Sequence, residues 1–136
     1  MKTIPENTIS HSYSLKVESH HIDVLNHVNN VVYLQWVNDA SEKHWTQLSN
    51  DITSSKYFWV CLRHEIDYIG QAFLGDKITI QTWVGESKGV KSVRYVNIYK
   101  DDNLLCKAVS TWCLFDMKTS KPTRIREDVL ELLSIE

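Results

Sequence analysis

A chain of 136 residues with 43% hydrophobic content suits one domain that buries roughly two-thirds of its unfolded-chain surface. The formal net charge of -2 gives no overall basic field, which argues against nucleic acid or an anionic membrane surface as the partner. Met1 to Asn7 carry no signal-like apolar region and no apolar run approaches the roughly 20 residues that cross a bilayer, so a soluble, cytoplasmic protein without a membrane span is expected.

Ser10 to Glu18 alternates Tyr13, Leu15 and Val17 with Ser12, Ser14 and Lys16, the period of a half-buried strand. Beyond it lies the polar stretch Asp23-Val24-Leu25-Asn26-His27-Val28-Asn29-Asn30. From about Asn30 to Leu48 the apolar positions Val31, Val32, Leu34, Trp36, Val37, Ala40, Trp45 and Leu48 predict a helix, wide-faced at its start and therefore buried at its N-terminal end. Residues 49–55, rich in Ser, Asn, Asp and Thr, read as a break.

Four β-rich segments follow: Tyr57 to Tyr68, Lys77 to Val84, Ser92 to Tyr99 and Leu104 to Phe115. Gly75-Asp76, Gly85 with Gly89, and Asp101-Asp102-Asn103 supply turn chemistry between them, which predicts antiparallel pairing of adjacent strands. Ile78, Ile80, Thr82 and Val84 share one face of their strand, as do Cys106, Ala108, Ser110, Trp112 and Leu114 of theirs, and a single helix can cover both. Ile125 to Leu133, after Pro122, reads as a short terminal helix. With no linker, repeat or compositional break, residues 1–136 are expected to form one α+β domain. Its architecture is one long helix wrapped by a curved antiparallel sheet of about five strands.

Cys61, Cys106 and Cys113 lie in strand-like segments without a CxxC spacing and read as buried thiols. His20 and His21 are adjacent at a strand end, where their side chains are expected to point to different sides. With no further ligand at a suitable spacing, a metal site there is disfavoured.

The polar stretch places an acid, an imidazole and amides immediately before a helix start, beside backbone N–H groups that no helical turn has yet satisfied. Such groups can polarise a carbonyl. Taken alone, the same residues suit capping: Asp23 as an acid preceding a helix, and Asn29 or Asn30 as the N-cap.

The run Asp23-x-x-x-His27-Val28-Asn29-Asn30-Val31-x-Tyr33-x-x-Trp36 resembles the signature of hotdog-fold thioesterases of the 4-hydroxybenzoyl-CoA thioesterase type, and is also similar to the active-site run of acyl-ACP thioesterases. Ile66-Asp67-Tyr68 followed by Gly75-Asp76, then Gly89-Val90-Lys91-Ser92 and Asp116-x-x-Thr119-x-Lys121-Pro122, resemble further landmarks of that family in the same order. The resemblance implies a hotdog domain that hydrolyses an acyl-CoA or acyl-carrier-protein thioester at a site between subunits, with no metal or organic cofactor. A homodimer is then the minimum assembly, and a homotetramer is compatible with it.

By the same resemblance Asp23 is the nucleophile or general base, the helix-start amide near Asn30 stabilises the oxyanion, and His27 is a third catalytic candidate. The chain departs from the pattern at Asn26, where the CoA enzymes usually carry glycine, and at Leu25, where the acyl-ACP enzymes carry a catalytic asparagine. Asn tolerates the left-handed backbone, so Asn26 can preserve the loop; Leu25 removes a polar group and shifts the weight to Asp23.

Asn29 and Tyr33 are candidates for substrate contact, although helical Tyr33 and Trp36 suit core or dimer packing equally well. Lys88, Lys91 and Arg94 are candidates for the phosphates of CoA or the acidic face of a carrier protein, against the commoner role of solvated surface charge. Trp59, Trp83, Tyr95 and Trp112 are compatible with an acyl or aryl pocket and with ordinary sheet formation. Two other uses of a hotdog domain compete. One is a non-catalytic acyl-CoA sensor or scaffold; the other is a hydratase or dehydratase, whose characteristic loops are missing.

Overall fold

The computed structural model describes residues 4–134. Strand β1 (Ser10–Lys16) leads through a 3-10 turn at Ser19–His21 and the polar loop into helix α1 (Asn30–Leu48). Helix α2 (Asp51–Lys56), strands β2 (Tyr57–Tyr68), β3 (Lys77–Lys88), β4 (Lys91–Lys100) and β5 (Asn103–Asp116), and helix α3 (Glu127–Leu130) complete the chain. The five strands form one antiparallel sheet in the order β1-β3-β4-β5-β2, laid against the long helix as in a hotdog domain.

The inward stripe of α1 is Tyr33, Trp36, Val37, Ala40, Ser41 and His44, spaced three and four residues apart as one helical face requires. It packs on Ile78, Ile80, Val96, Ile98, Cys106 and Ala108, all buried. Each aliphatic side chain fully buried there contributes roughly 1.5–3 kcal/mol. A second cluster closes the other end of α1, where Leu114, Ile125 and Val129 pack with Trp45, Tyr57 and Trp59.

Several expectations are corrected. The 49–55 break contains α2, because the Asn50 side chain caps it by accepting from Thr53 N at 2.8 Å, and Asp51 and Lys56 suit the two ends of its dipole. Gly85 is no strand end: it lies inside β3 where the register shifts between Val84 and Ser87. A Cβ at Gly85 would meet Tyr95 Cε2 at 2.6 Å, so the close approach of that ring requires glycine. Gly75-Asp76 joins strands that are not paired, since residues 69–76 cross from the edge strand β2 to β3.

The start of α1 is not buried all round. Val31 is 68% exposed and Leu34 37%, because both fall off the inward stripe. Cys61 is only half-buried, with Sγ 3.3 Å from His64 Nε2, whereas Cys106 and Cys113 are buried. His20 and His21 sit on the 3-10 turn rather than at a strand end, and the turn brings their ring centroids to 4.1 Å.

Candidate active site

The Asp23 loop is closed at its base by an isolated antiparallel bridge between Ile22 and Val28. Asp23 N donates to His27 O at 3.0 Å and Asn26 N to Asp23 O at 3.1 Å, so residues 23–27 form a tight turn. Asn26 takes φ 64°, the left-handed conformation that glycine or asparagine adopts at least cost. One of the two departures from the family pattern thus keeps the backbone geometry. The other, Leu25, points away from the core at 69% exposure beside Val24 at 95%.

The Asp23 carboxylate is partly exposed. Its Oδ1 accepts from Leu25 N at 2.9 Å, and Oδ2 lies 3.8 Å from His27 Nδ1. His27 Nδ1 is 3.2 Å from Val28 O, an acceptor, so the neutral ring carries its proton on Nδ1 and leaves Nε2 as the free lone pair. His27 is therefore held by the backbone as well as facing Asp23.

The amides at the head of α1 are unequally used. Asn29 N donates to His21 O at 3.0 Å, Val31 N to the Asn29 side chain at 3.0 Å, and Val32 N to Asn29 O at 2.9 Å. Asn29 is thus the N-cap, and Asn30, exposed, is the first helical residue. Among the described residues the Asn30 N–H alone in this run has no acceptor, leaving one donor at the positive end of a 19-residue helix.

Tyr33 is 2% exposed, and its hydroxyl accepts from Ala72 N at 3.0 Å; burial raises its pKa above the usual tyrosine value. Trp36 packs beside it, edge-on at 5.4 Å between centroids. Ala72, which nothing in its sequence context singles out, also accepts from Val28 N at 2.9 Å and so ties the crossover to the loop. Around this corner Ile69, Phe73 and Leu74 stand exposed.

Lys88 and Lys91 are paired and exposed at the β3–β4 turn. Arg94 is not with them. The two-residue period of β4 turns it inward with Ser92 and Val96, to 7% exposure, so it is no solvated surface charge. Its Nη1 lies 2.7 Å from His44 Nδ1 and donates to Thr82 Oγ1 at 3.1 Å. No group of three His, Cys, Asp or Glu is placed to hold a metal ion among the described residues, and no described helix is long and apolar enough to cross a membrane.

The pattern that defines the thioesterase-like superfamily matches residues 17–133. The chain belongs to that family. It is a hotdog-fold thioester hydrolase. The long-chain acyl-CoA thioesterase FadM of Escherichia coli strain K12 is 26% identical over 126 residues, covering 88% of this chain and 93% of FadM. The crystal structure of YbaW, a probable thioesterase from Escherichia coli, superposes with a TM-score of 0.78 at 25% identity, covering 91% of this chain and 98% of that one. Slr0204, a 1,4-dihydroxy-2-naphthoyl-CoA thioesterase from Synechocystis, shares the fold with a TM-score of 0.76 at 16% identity, over 90% of this chain and 94% of its own.

Proposed function

We propose that this thioesterase hydrolyses an acyl-CoA, with Asp23 as the attacking or water-activating carboxylate and the Asn30 N–H as the oxyanion donor. The observation that carries the reading is the unaccepted Asn30 N–H at the head of α1, two residues beyond the Ile22–Val28 bridge that closes the Asp23 loop. The near full-length relationship to FadM, an acyl-CoA thioesterase by name, supports coenzyme A as the thiol.

A thioester has a good leaving group, so the protein must supply an attacker and a donor for the developing negative oxygen. Two routes start from the carboxylate. In one, Asp23 adds to the carbonyl, the thiolate departs and takes a proton, and water then opens the mixed anhydride. In the other, Asp23 removes a proton from water as the water adds. A single preorganised donor such as the Asn30 amide is worth about 3 kcal/mol in the transition state. His27 Nε2, free of intramolecular partners in the described structure, is available to a substrate or water.

The functional unit proposed is a homodimer. The 12-residue strand β2 is a sheet edge with Leu62 51% exposed, and Val24, Leu25, Val31 and Phe73 leave apolar surface around the site that a second copy or an acyl group would cover. Free-thiol release across acyl-CoAs of graded length, with acyl-carrier-protein thioesters in parallel, tests the assignment. Turnover of at least one acyl-CoA above the carrier-protein rate is expected; binding of acyl-CoA without thiol release from any substrate would replace it with the sensor reading.

A further inference from the structure

Arg94 has more hydrogen-bonding capacity than the protein uses. Its guanidinium carries five N–H donors, and the two on Nη1 are directed to His44 Nδ1 and Thr82 Oγ1, leaving those on Nη2 and Nε without an acceptor among the described residues. No carboxylate of the described residues lies within ion-pair distance of it. A buried cation without a counter-charge is costly, so the arrangement asks for an anion.

The same guanidinium lines a cavity of about 380 Å³ between the second half of α1 and the starts of β2 and β4. Arg94, Ser92 and Trp112 are among its lining residues, although the Trp112 indole N–H itself is closed off from the cavity. The rest is mixed: Trp45 and Trp59, edge-to-face at 5.6 Å, with Phe58, Met117 and Leu133 form an apolar part, and Ser41, Thr46 and Ser54 add hydroxyls. Glu42 is the one carboxylate of the lining; it is exposed, accepts from Asn38 Nδ2 at 3.1 Å and makes no ion pair with Arg94.

We propose that this cavity binds a carboxylate with an apolar body, the acid group on the free Arg94 donors and the body against Trp45, Trp59 and Leu133. An Arg fork matches a carboxylate in bidentate geometry, and the burial of Arg94 strengthens the pair. Burial holds Arg94 down to about 10 and drives the neighbouring His44 ring to about 3, so near neutral pH the first is charged and the second is not. His44 therefore positions the guanidinium without competing for the anion.

The cavity is distinct from the Asp23 loop of the same protomer. Ser41 and Trp45 of its lining lie 11 and 15 residues beyond Asn30 on α1, roughly 16 to 23 Å along the axis, with fully buried Val37 and Ala40 between. Its ligand belongs to the chemical class of the acid that thioester hydrolysis releases, yet its occupancy does not depend on hydrolysis.

Calorimetric titration of the full chain with octanoate, against octanamide as the neutral isostere, tests the proposal. Octanoate is expected to saturate the protein, quench tryptophan fluorescence and bind at least about tenfold more tightly than octanamide, as a charge-assisted pair requires. Arg94→Gln should weaken octanoate at least about tenfold and Arg94→Lys less, since lysine keeps the charge but loses the fork. Asp23→Asn should bind octanoate as wild type does, even if it hydrolyses nothing. Equal affinity for acid and amide in the wild type, or no saturation by octanoate, would overturn the proposal even if Arg94→Gln fails to fold.

Discussion

The Tyr33 hydroxyl accepts a 3.0 Å hydrogen bond from Ala72 N, while the carbonyl of the same alanine accepts from Val28 N at 2.9 Å. The crossover between β2 and β3 is thereby clasped between α1 and the Asp23 loop. Tyr33→Phe leaves the buried Ala72 N–H without a partner and should cost about 1–3 kcal/mol. Urea unfolding of the two proteins measures it, and equal midpoints at equal slope would show that the clasp adds no stability.

Asn26 holds the turn that presents Asp23, at a φ of 64°. Asn26→Gly should change stability little, whereas Asn26→Val should cost on the order of 1–2 kcal/mol from the left-handed backbone and should lower turnover by distorting the loop. Comparison of melting temperatures and thiol-release rates for the two variants checks this. A valine variant as active as the glycine variant would mean that the turn does not govern the carboxylate's position.

His44 makes stability depend on pH. Burial, then Arg94 and His11, push its pKa down from 6.5 to about 3, so between these values the unfolded chain binds a proton that the folded chain does not. Stability therefore falls as pH drops below about 6.5, by at most about 1.4 kcal/mol per pH unit from this group, and the slope from His44 ends near pH 3. His11, His21 and His64 are lowered by burial as well and add slope of the same sign. His44→Gln, which retains an acceptor for Arg94, should flatten the profile of unfolding free energy between pH 4 and 6.5; an unchanged slope would remove His44 from the account.

The strands and the long helix were legible because their apolar periods are strong: α1 runs over the predicted Asn30 to Leu48, and β2 over Tyr57 to Tyr68. Periodicity does not encode which strands pair, so the crossover at 69–76 read as a local turn, and Gly85 read as a break when it is a bulge under the Tyr95 ring. Within the site, Asn29 as cap and Asn26 as the turn residue follow from local backbone chemistry. Ala72 gave no signal, because it acts through main-chain groups that any residue carries. Arg94 was misplaced on the surface by its charge, although the alternation of β4 with Ser92, Val96 and Ile98 pointed it inward.

The most direct test of the proposed chemistry is the turnover number of Asp23→Asn with the best acyl-CoA substrate, measured by thiol release, beside its circular dichroism and melting temperature. A fall of about 10²-fold or more in kcat with an unchanged fold is the predicted result. Turnover within a few-fold of wild type would contradict the assignment of the reaction to Asp23.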